Sequence, residues 1–139
     1  LKSALTPAGG DLDPEARLYE HAFVLLALAA LARAEPTEPS WREAARRILD
    51  GLDGFAHEGG YRETSETPFQ ADPQMHLLEA ALAWRDLEGT GPWSATADQV
   101  AALATSRLID PQTGAVREVF DADWRALEGD AGRIEPGHQ

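Results

Sequence analysis

Histidines stand out among the residues that could do chemistry, because three of the four in the chain recur at similar places. His21, His76 and His138 each lie near the predicted start of a helix that is rich in apolar residues. The positive end of a helix dipole disfavours an imidazolium, so we expect His76 and His138 to be neutral and able to accept a proton near pH 7. This pattern favours general acid and base catalysis, which contributes about 10²- to 10⁴-fold in rate. The alternative is that each histidine only bonds to a neighbouring loop.

Other chemistries compete for these and nearby side chains. Metal binding is not favoured, because histidine spacings of 55 and 62 residues give no HxxxH or HExxH motif. Glu20 and Glu79 are candidates for the acid and base of a glycosidase, since two carboxylates can hydrolyse a sugar linkage. Arg62 and Arg117 suit a phosphate, although each is followed by a glutamate that offers a local ion pair. Trp124 is a candidate for lining the mouth of a cleft.

Helix starts and periodicity predict a first helical hairpin over residues 13–56. Its inner helix begins at Asp13, with Pro14 in the first turn, and it is apolar on nearly every side, so we expect it to be buried on most faces. Its outer helix begins at Ser40, where Glu43 completes a capping box, and it has one apolar stripe.

A second hairpin is predicted over residues 72–107. Asp72 and Pro73 begin its inner helix and Gly89 ends it, while its outer helix covers about residues 94–107. Short extended pairs are expected in the glycine-containing loop after each outer helix.

A repeat relates the two hairpins. Three pairs of residues share an offset of 55, namely His21 and His76, Arg62 and Arg117, and Glu63 and Glu118. His138 follows His76 by 62 residues, so residues 135–139 read as the start of a third inner helix. Inner helices need neighbours on both sides, so we expect residues 1–139 to be one partial domain of a ring or solenoid. Such a chain exposes apolar surface, and we expect it either to pair with another copy as a homo-oligomer or to stay partly molten.

Composition limits the partners. A net charge of -12 disfavours nucleic acid and anionic membranes as partners. The longest apolar run, residues 22–32, is too short to span a bilayer. The chain has no cysteine, which is compatible with a reducing compartment, and we expect a cytoplasmic location.

Four strings resemble the N-acylglucosamine 2-epimerase family, which includes mannose isomerases and cellobiose 2-epimerases. They are LYEHAFVLLALAAL (residues 18–31), DPQMHLLEA (72–80), LIDPQTGAVREVFDADW (108–124) and GRIEPGHQ (132–139). The resemblance implies an all-α fold, an (α/α)6 barrel or toroid, of which this chain supplies about a third. Its central cleft would bind a small sugar, open the sugar ring and move a proton at the carbon next to the carbonyl.

The resemblance also implies roles for individual residues. His138 would be one acid/base group, His76 would assist ring opening or proton relay, and Tyr19 would face the sugar. His21, Asp72 and Trp124 are the further candidates for substrate contact, and no metal or cofactor is implied. The family usually has asparagine where Asp72 stands, and its glutamate one turn after the EPGH histidine and a second partner histidine lie beyond Gln139. We therefore expect a mannose–fructose type isomerase of which this chain alone is inactive; a toroid glycosidase and a non-catalytic sugar-binding module are the alternatives.

Overall fold

Helices form most of the computed structural model, which describes residues 4–5, 7–8, 11–13, 15–63 and 68–129. The helices are α1 (Leu18–Ala34), α2 (Ser40–Gly51), α3 (Ala71–Glu88) and α4 (Pro92–Leu103). The strands form two antiparallel pairs, β1 (Ala4–Leu5) with β2 (Asp11–Asp13), and β3 (Ala56–His57) with β4 (Gly60–Tyr61). A 3-10 turn (Leu52–Phe55) follows α2 and a π turn (Ala104–Leu108) follows α4. Within the described residues, no helix is long and apolar enough to cross a membrane.

The helices pack as two hairpins, α1 with α2 and α3 with α4, and the hairpins join through α1 and α3. The predicted all-α architecture of helical hairpins is confirmed. The loops after the two outer helices each contain an equivalent backbone hydrogen bond. The amide of Arg62 donates to Phe55 O (2.7 Å), and that of Arg117 donates to Leu108 O (2.8 Å). The predicted third inner helix lies outside the described residues.

The start of α1 differs from the prediction. Asp13 belongs to β2, and the helix begins at Leu18 after Arg17, whose backbone is extended and whose side chain makes no capping hydrogen bond. The carboxylate of Glu63 takes the place of a local cap, since its Oε2 accepts the backbone N–H of Tyr19 at 2.9 Å. The first turn of α1 is therefore satisfied by a residue that lies 44 positions later.

The starts of the other helices also show small differences. Ser40 is the first residue of α2, and its N–H is accepted by the side chain of Glu38 (3.0 Å), so the predicted capping box with Glu43 is wrong. Helix α3 begins at Ala71, one residue before the predicted cap Asp72. Its predicted end is confirmed, because Gly89 adopts a positive φ of 79° and donates to Arg85 O.

The main core lies between α1 and α3. The indole N–H of Trp84 donates to Leu25 O at 2.9 Å, and Trp93 stacks on Trp84 with ring centroids 5.3 Å apart. Both tryptophans are buried, so each contributes a large apolar area and loses no hydrogen bond, because the indole N–H of Trp93 reaches Glu88. This packing fixes the separation of the two inner helices.

Helix α1 is less buried than its composition predicts. Tyr19, Phe23 and Leu31 are 38%, 40% and 39% exposed, although the opposite side of the helix is buried. The reason is that α1 contacts α2 and α3 on two sides, and no other helix of the described part of the chain covers the third side.

A buried glutamine ties the first glycine loop to α3. The side chain of Gln74 accepts the N–H of Tyr61 (3.2 Å) and donates to the carbonyl of the same residue (2.6 Å). Gln74 is fully buried, so both halves of its amide are satisfied by one backbone unit.

We predict that Gly60→Ala destabilises the chain by about 1–3 kcal/mol, because an overpacked core cannot relax freely. An added Cβ would lie 2.7 Å from Leu103 Cδ2 and 2.7 Å from Trp124 Cζ2. Gly54→Ala is the matched control, since nothing lies within 4 Å of its Cβ position. Urea unfolding measures both variants, and equal free energies of unfolding would contradict the prediction.

We also predict an unusual pH dependence for Glu63. Burial raises the pKa of the Glu63 carboxyl, and the N–H of Tyr19 opposes that rise. The folded chain then holds this proton to higher pH than the unfolded chain, so the stability contributed by Glu63 is full below its unfolded pKa and falls as pH rises through the folded pKa. The free energy of unfolding of Glu63→Gln, relative to the wild type, should therefore increase as pH rises above about 4, the ordinary pKa of an unfolded glutamate.

Glu38→Gln is the control with the opposite sign. Hydrogen bonds from Ser40 lower the pKa of Glu38, so its contribution is present above the unfolded pKa and is lost as pH falls. Urea unfolding at several pH values should give opposite trends for the two variants, and the same trend in both would refute the prediction.

Candidate active site

The N-terminal ends of α1 and α3 meet at an aromatic cluster of Tyr19, Phe23 and His76. The ring of Tyr19 is edge-on to His76 at 5.4 Å, and the ring of Phe23 lies 4.5 Å from His76. Tyr19 and Phe23 also contact each other at 4.7 Å, as residues four apart on a helix do. The cluster thus joins the two inner helices at one end.

The inner helices run in the same direction, which is why their starts meet. Tyr19 lies beside His76 near the start of both helices, and Leu25 lies beside Trp84 farther along both. In parallel neighbours the amino ends share one side of the molecule, so side chains of the first turns converge there. The sequence repeat predicts this convergence, and the cluster shows it for α1 and α3.

His76 lies between two carboxylates. Its Nδ1 is hydrogen-bonded to Glu79 Oε2 at 2.9 Å, and its Nε2 is 3.4 Å from Asp72 Oδ1. Each ring nitrogen of His76 therefore has a carboxylate of α3 as its neighbour.

The cluster is open to solvent and is suited to contact with a solute. The side chain of His76 is 24% exposed, that of Asp72 29% and that of Glu79 60%. Because the rings of Tyr19 and Phe23 are also partly exposed, polar and apolar groups face the same space. Such a combination fits a sugar, which has hydroxyl groups on its edges and C–H groups on its faces.

His21 does not join the cluster, although it precedes His76 by the repeat length. Its Nδ1 is bonded to Arg17 O at 2.5 Å, and its ring packs edge-on against Phe55 at 4.9 Å. Burial lowers the pKa of His21, which favours the uncharged ring in this position. His21 thus faces the core between α1 and the turn after α2, away from the surface that holds His76.

Trp124 is a packing residue of the loop that follows α4. Only 4% of it is exposed, its indole N–H donates to Glu58 O at 2.7 Å, and its ring contacts Phe69 and Phe120. It also borders a cleft of about 450 Å3 between α4 and residues 122–125, in which no residue of the aromatic cluster takes part. The structure therefore places Trp124 apart from His76.

Of the predicted site residues, the structure brings together Tyr19, His76 and Asp72. His138 lies outside the described residues. Phe23 is not among the predicted site residues, and its position one turn after Tyr19 is the signal that links it to the cluster. In the described part of the chain, no group of three or more histidine, cysteine, aspartate or glutamate side chains is arranged to hold a metal ion.

Two known proteins that resemble this chain are both named as isomerases of mannose or mannose 6-phosphate. The chain is 39% identical over 148 residues to the mannose-6-phosphate isomerase of Rhizobium meliloti (strain 1021), a match that covers 97% of this chain and 37% of the relative. It is 29% identical over 133 residues to the D-mannose isomerase of Thermobifida fusca, with 90% of this chain and 33% of the relative covered. The chain therefore spans little more than a third of the length of these relatives.

A solved structure identifies the fold, and a family model identifies the family. The cellobiose 2-epimerase from Spirochaeta thermophila DSM 6192 superposes with a TM-score of 0.78 at 21% identity, over 90% of this chain and 36% of that one. Its fold is an (α/α)6 barrel, so the predicted fold class is confirmed. Residues 3–139 match the model of the family described as N-acylglucosamine 2-epimerase (GlcNAc 2-epimerase). The chain belongs to the N-acylglucosamine 2-epimerase family.

Proposed function

We propose that this chain is part of a sugar isomerase or epimerase that moves a proton at the carbon next to the carbonyl, with His76 as an acid/base group. One observation carries the proposal: a solvent-accessible histidine, bonded to a carboxylate, stands beside two aromatic rings where the inner helices begin. Membership of the epimerase family supports an isomerase-type reaction.

Glu79 gives His76 a defined orientation for this work. Its hydrogen bond to Nδ1 keeps a proton on that nitrogen, so Nε2 is the atom that exchanges a proton with the substrate. Asp72 Oδ1 lies 3.4 Å from Nε2, so a carboxylate stands beside the atom that exchanges the proton. The two carboxylates therefore fix the orientation of the ring.

The reaction is a pair of proton transfers through an enediol. A base removes the proton from the carbon next to the carbonyl of the open-chain sugar, and the electron pair of that C–H bond moves towards the carbonyl oxygen, which is protonated. Return of a proton to the former carbonyl carbon, with loss of the hydroxyl proton on the adjacent carbon, gives the isomer. Return of a proton to the opposite face of the carbon that was deprotonated, with loss of the hydroxyl proton on the former carbonyl carbon, gives the epimer. We assign His76 to ring opening and proton relay, and His138 to one acid/base role at the reacting carbon.

The substrate we favour is a mannose-like aldose, in a mannose–fructose type isomerisation. The names of the two relatives support a mannose-like substrate, and the open surface at Tyr19 and Phe23 offers apolar contact to one face of the sugar. No cofactor enters this mechanism, because a protonated imidazole and neighbouring donors stabilise the enediol oxygen. A cytoplasmic location fits such a metabolic reaction.

The glycosidase alternative is less well supported by the carboxylates. Glu79 is hydrogen-bonded to His76. The buried Glu20 Oε2 has no hydrogen-bond partner among the described residues, and no described contact directs it at the aromatic cluster. A glycosidase would need these two groups on either side of one sugar linkage. We therefore retain the isomerase as the proposed activity.

A chimera tests the role of His76. The matching stretch of the Rhizobium meliloti relative is replaced by this chain, and aldose–ketose conversion is measured with mannose, mannose 6-phosphate and cellobiose. His76→Asn should lower kcat about 10²- to 10⁴-fold, because it removes the acid/base group without changing the size of the site greatly. His57→Asn is the control, since His57 lies in the first glycine loop and bonds to Ala122 O.

Four outcomes of the chimera are informative. Conversion of mannose alone supports the substrate we favour, and conversion of mannose 6-phosphate alone would replace it with a phosphorylated one. Full turnover by His76→Asn would refute the catalytic role and support a sugar-binding module. Release of reducing ends from cellobiose would support the glycosidase.

We further predict that the purified chain of 139 residues does not isomerise mannose. The reason is that the chain spans only 37% of the relative it matches at 39% identity. Among the described residues, His76 is the one proposed acid/base group, and it lies on an open surface. Fructose formation is measured by coupled assay over hours, with the intact relative as the positive control. Detectable turnover that His76→Asn abolishes would contradict this prediction.

A further inference from the structure

The first turn of α1 is held by a side chain from the loop that follows β4. The backbone N–H of Tyr19 donates to Glu63 Oε2 at 2.9 Å. Glu63 is only 7% exposed, and its own N–H donates to Pro68 O at 2.8 Å. The carboxylate is therefore a firmly placed acceptor for an amide that has no partner within the helix.

The residue that Glu63 holds is also the residue that contacts His76. The ring of Tyr19 stands edge-on to the imidazole, and its backbone N–H is the group bonded to Glu63. Because α1 begins at Leu18, Tyr19 lies in a turn that would fray without an external acceptor. Phe23, one turn farther along, is held within the helix and depends less on the cap.

We infer that Glu63 is a positioning residue, whose carboxylate fixes the first turn of α1 and thereby holds the ring of Tyr19 against His76. The inference rests on the proposed function for its meaning in catalysis, but the contact itself can be measured without turnover. Glu63 acts through Tyr19 and does not itself contact His76 in any described interaction. It belongs to the loop after β4, so the loop of the first hairpin controls the surface made by the two inner helices.

The charges around Glu63 explain why an acid is suited to this place. Burial disfavours the ionised carboxylate, while Glu20 on α1 repels it and Arg17, just before α1, attracts it. The positive end of the α1 dipole then favours a negative acceptor over a neutral one. Charge-assisted bonds to backbone amides are also stronger than neutral ones. A glutamine would keep one acceptor oxygen but lose this extra strength.

The experiment uses NMR on the chain of 139 residues, without substrate. In the wild type, nuclear Overhauser contacts should link the Tyr19 ring to the His76 ring, and the neighbouring rings should shift the His76 proton signals. Glu63→Ala should abolish the Tyr19–His76 contact and move the His76 signals towards those of a solvated histidine. Glu63→Gln should keep the contact, with the Tyr19 amide proton moved to a position typical of a weaker hydrogen bond.

Glu38→Ala is the matched control. Glu38 is a carboxylate that accepts the N–H of Ser40 at the start of α2, far along the chain from the cluster. Its loss removes a cap of the same kind from an outer helix and should leave the Tyr19–His76 contact unchanged. Far-ultraviolet circular dichroism confirms that each variant retains its helices.

The result that would overturn the inference is an unchanged Tyr19–His76 contact in folded Glu63→Ala, or the same loss of contact in Glu38→Ala. If Glu63→Ala does not fold, Glu63→Gln decides, because an unmoved Tyr19 amide signal in that variant would also overturn it. A chimera without isomerase activity, combined with a contact that depends on Glu63, would refute the proposed function and leave this inference standing.

Discussion

The parallel packing of α1 against α3 is the constraint on which the described structure depends. The buried Trp84 fills the interface and bonds to Leu25 O, so an apolar contact and a hydrogen bond fix the same pair of helices. Because parallel neighbours begin on the same side, their first turns carry Tyr19 and His76 to one surface. The placement of Tyr19 and His76 is thus set by packing about two turns farther along the two helices.

The histidine at that surface differs from an isolated helix residue. Its two ring nitrogens face Glu79 and Asp72, both on α3, so one helix supplies both the ring and the carboxylates beside it. The neighbouring helix contributes the aromatic side of the cluster. Such a division allows the orientation of His76 to be kept by local bonds, while access to it is determined by how α1 is placed.

Features with a local cause could be predicted from the sequence. The end of α3 follows from Gly89, which adopts a positive φ, and the apolar stripe of α2 follows from its period. The start of α1 could not be predicted, because its cap is Glu63, which is distant in sequence. His21 shows the same limit: the repeat gives its offset from His76, but only the packing of Phe55 reveals that its ring faces the core.

The bond between Gln74 and Tyr61 has a consequence for self-association. Strand β4 pairs with β3 on one side, and on the other side the Gln74 amide occupies the N–H and carbonyl of Tyr61, as a residue of an adjacent strand would. An exposed strand edge is a template on which another chain can add by main-chain bonds. Here the outer edge of β4 is closed by one side chain, so another chain cannot add to β4 through the main chain of Tyr61.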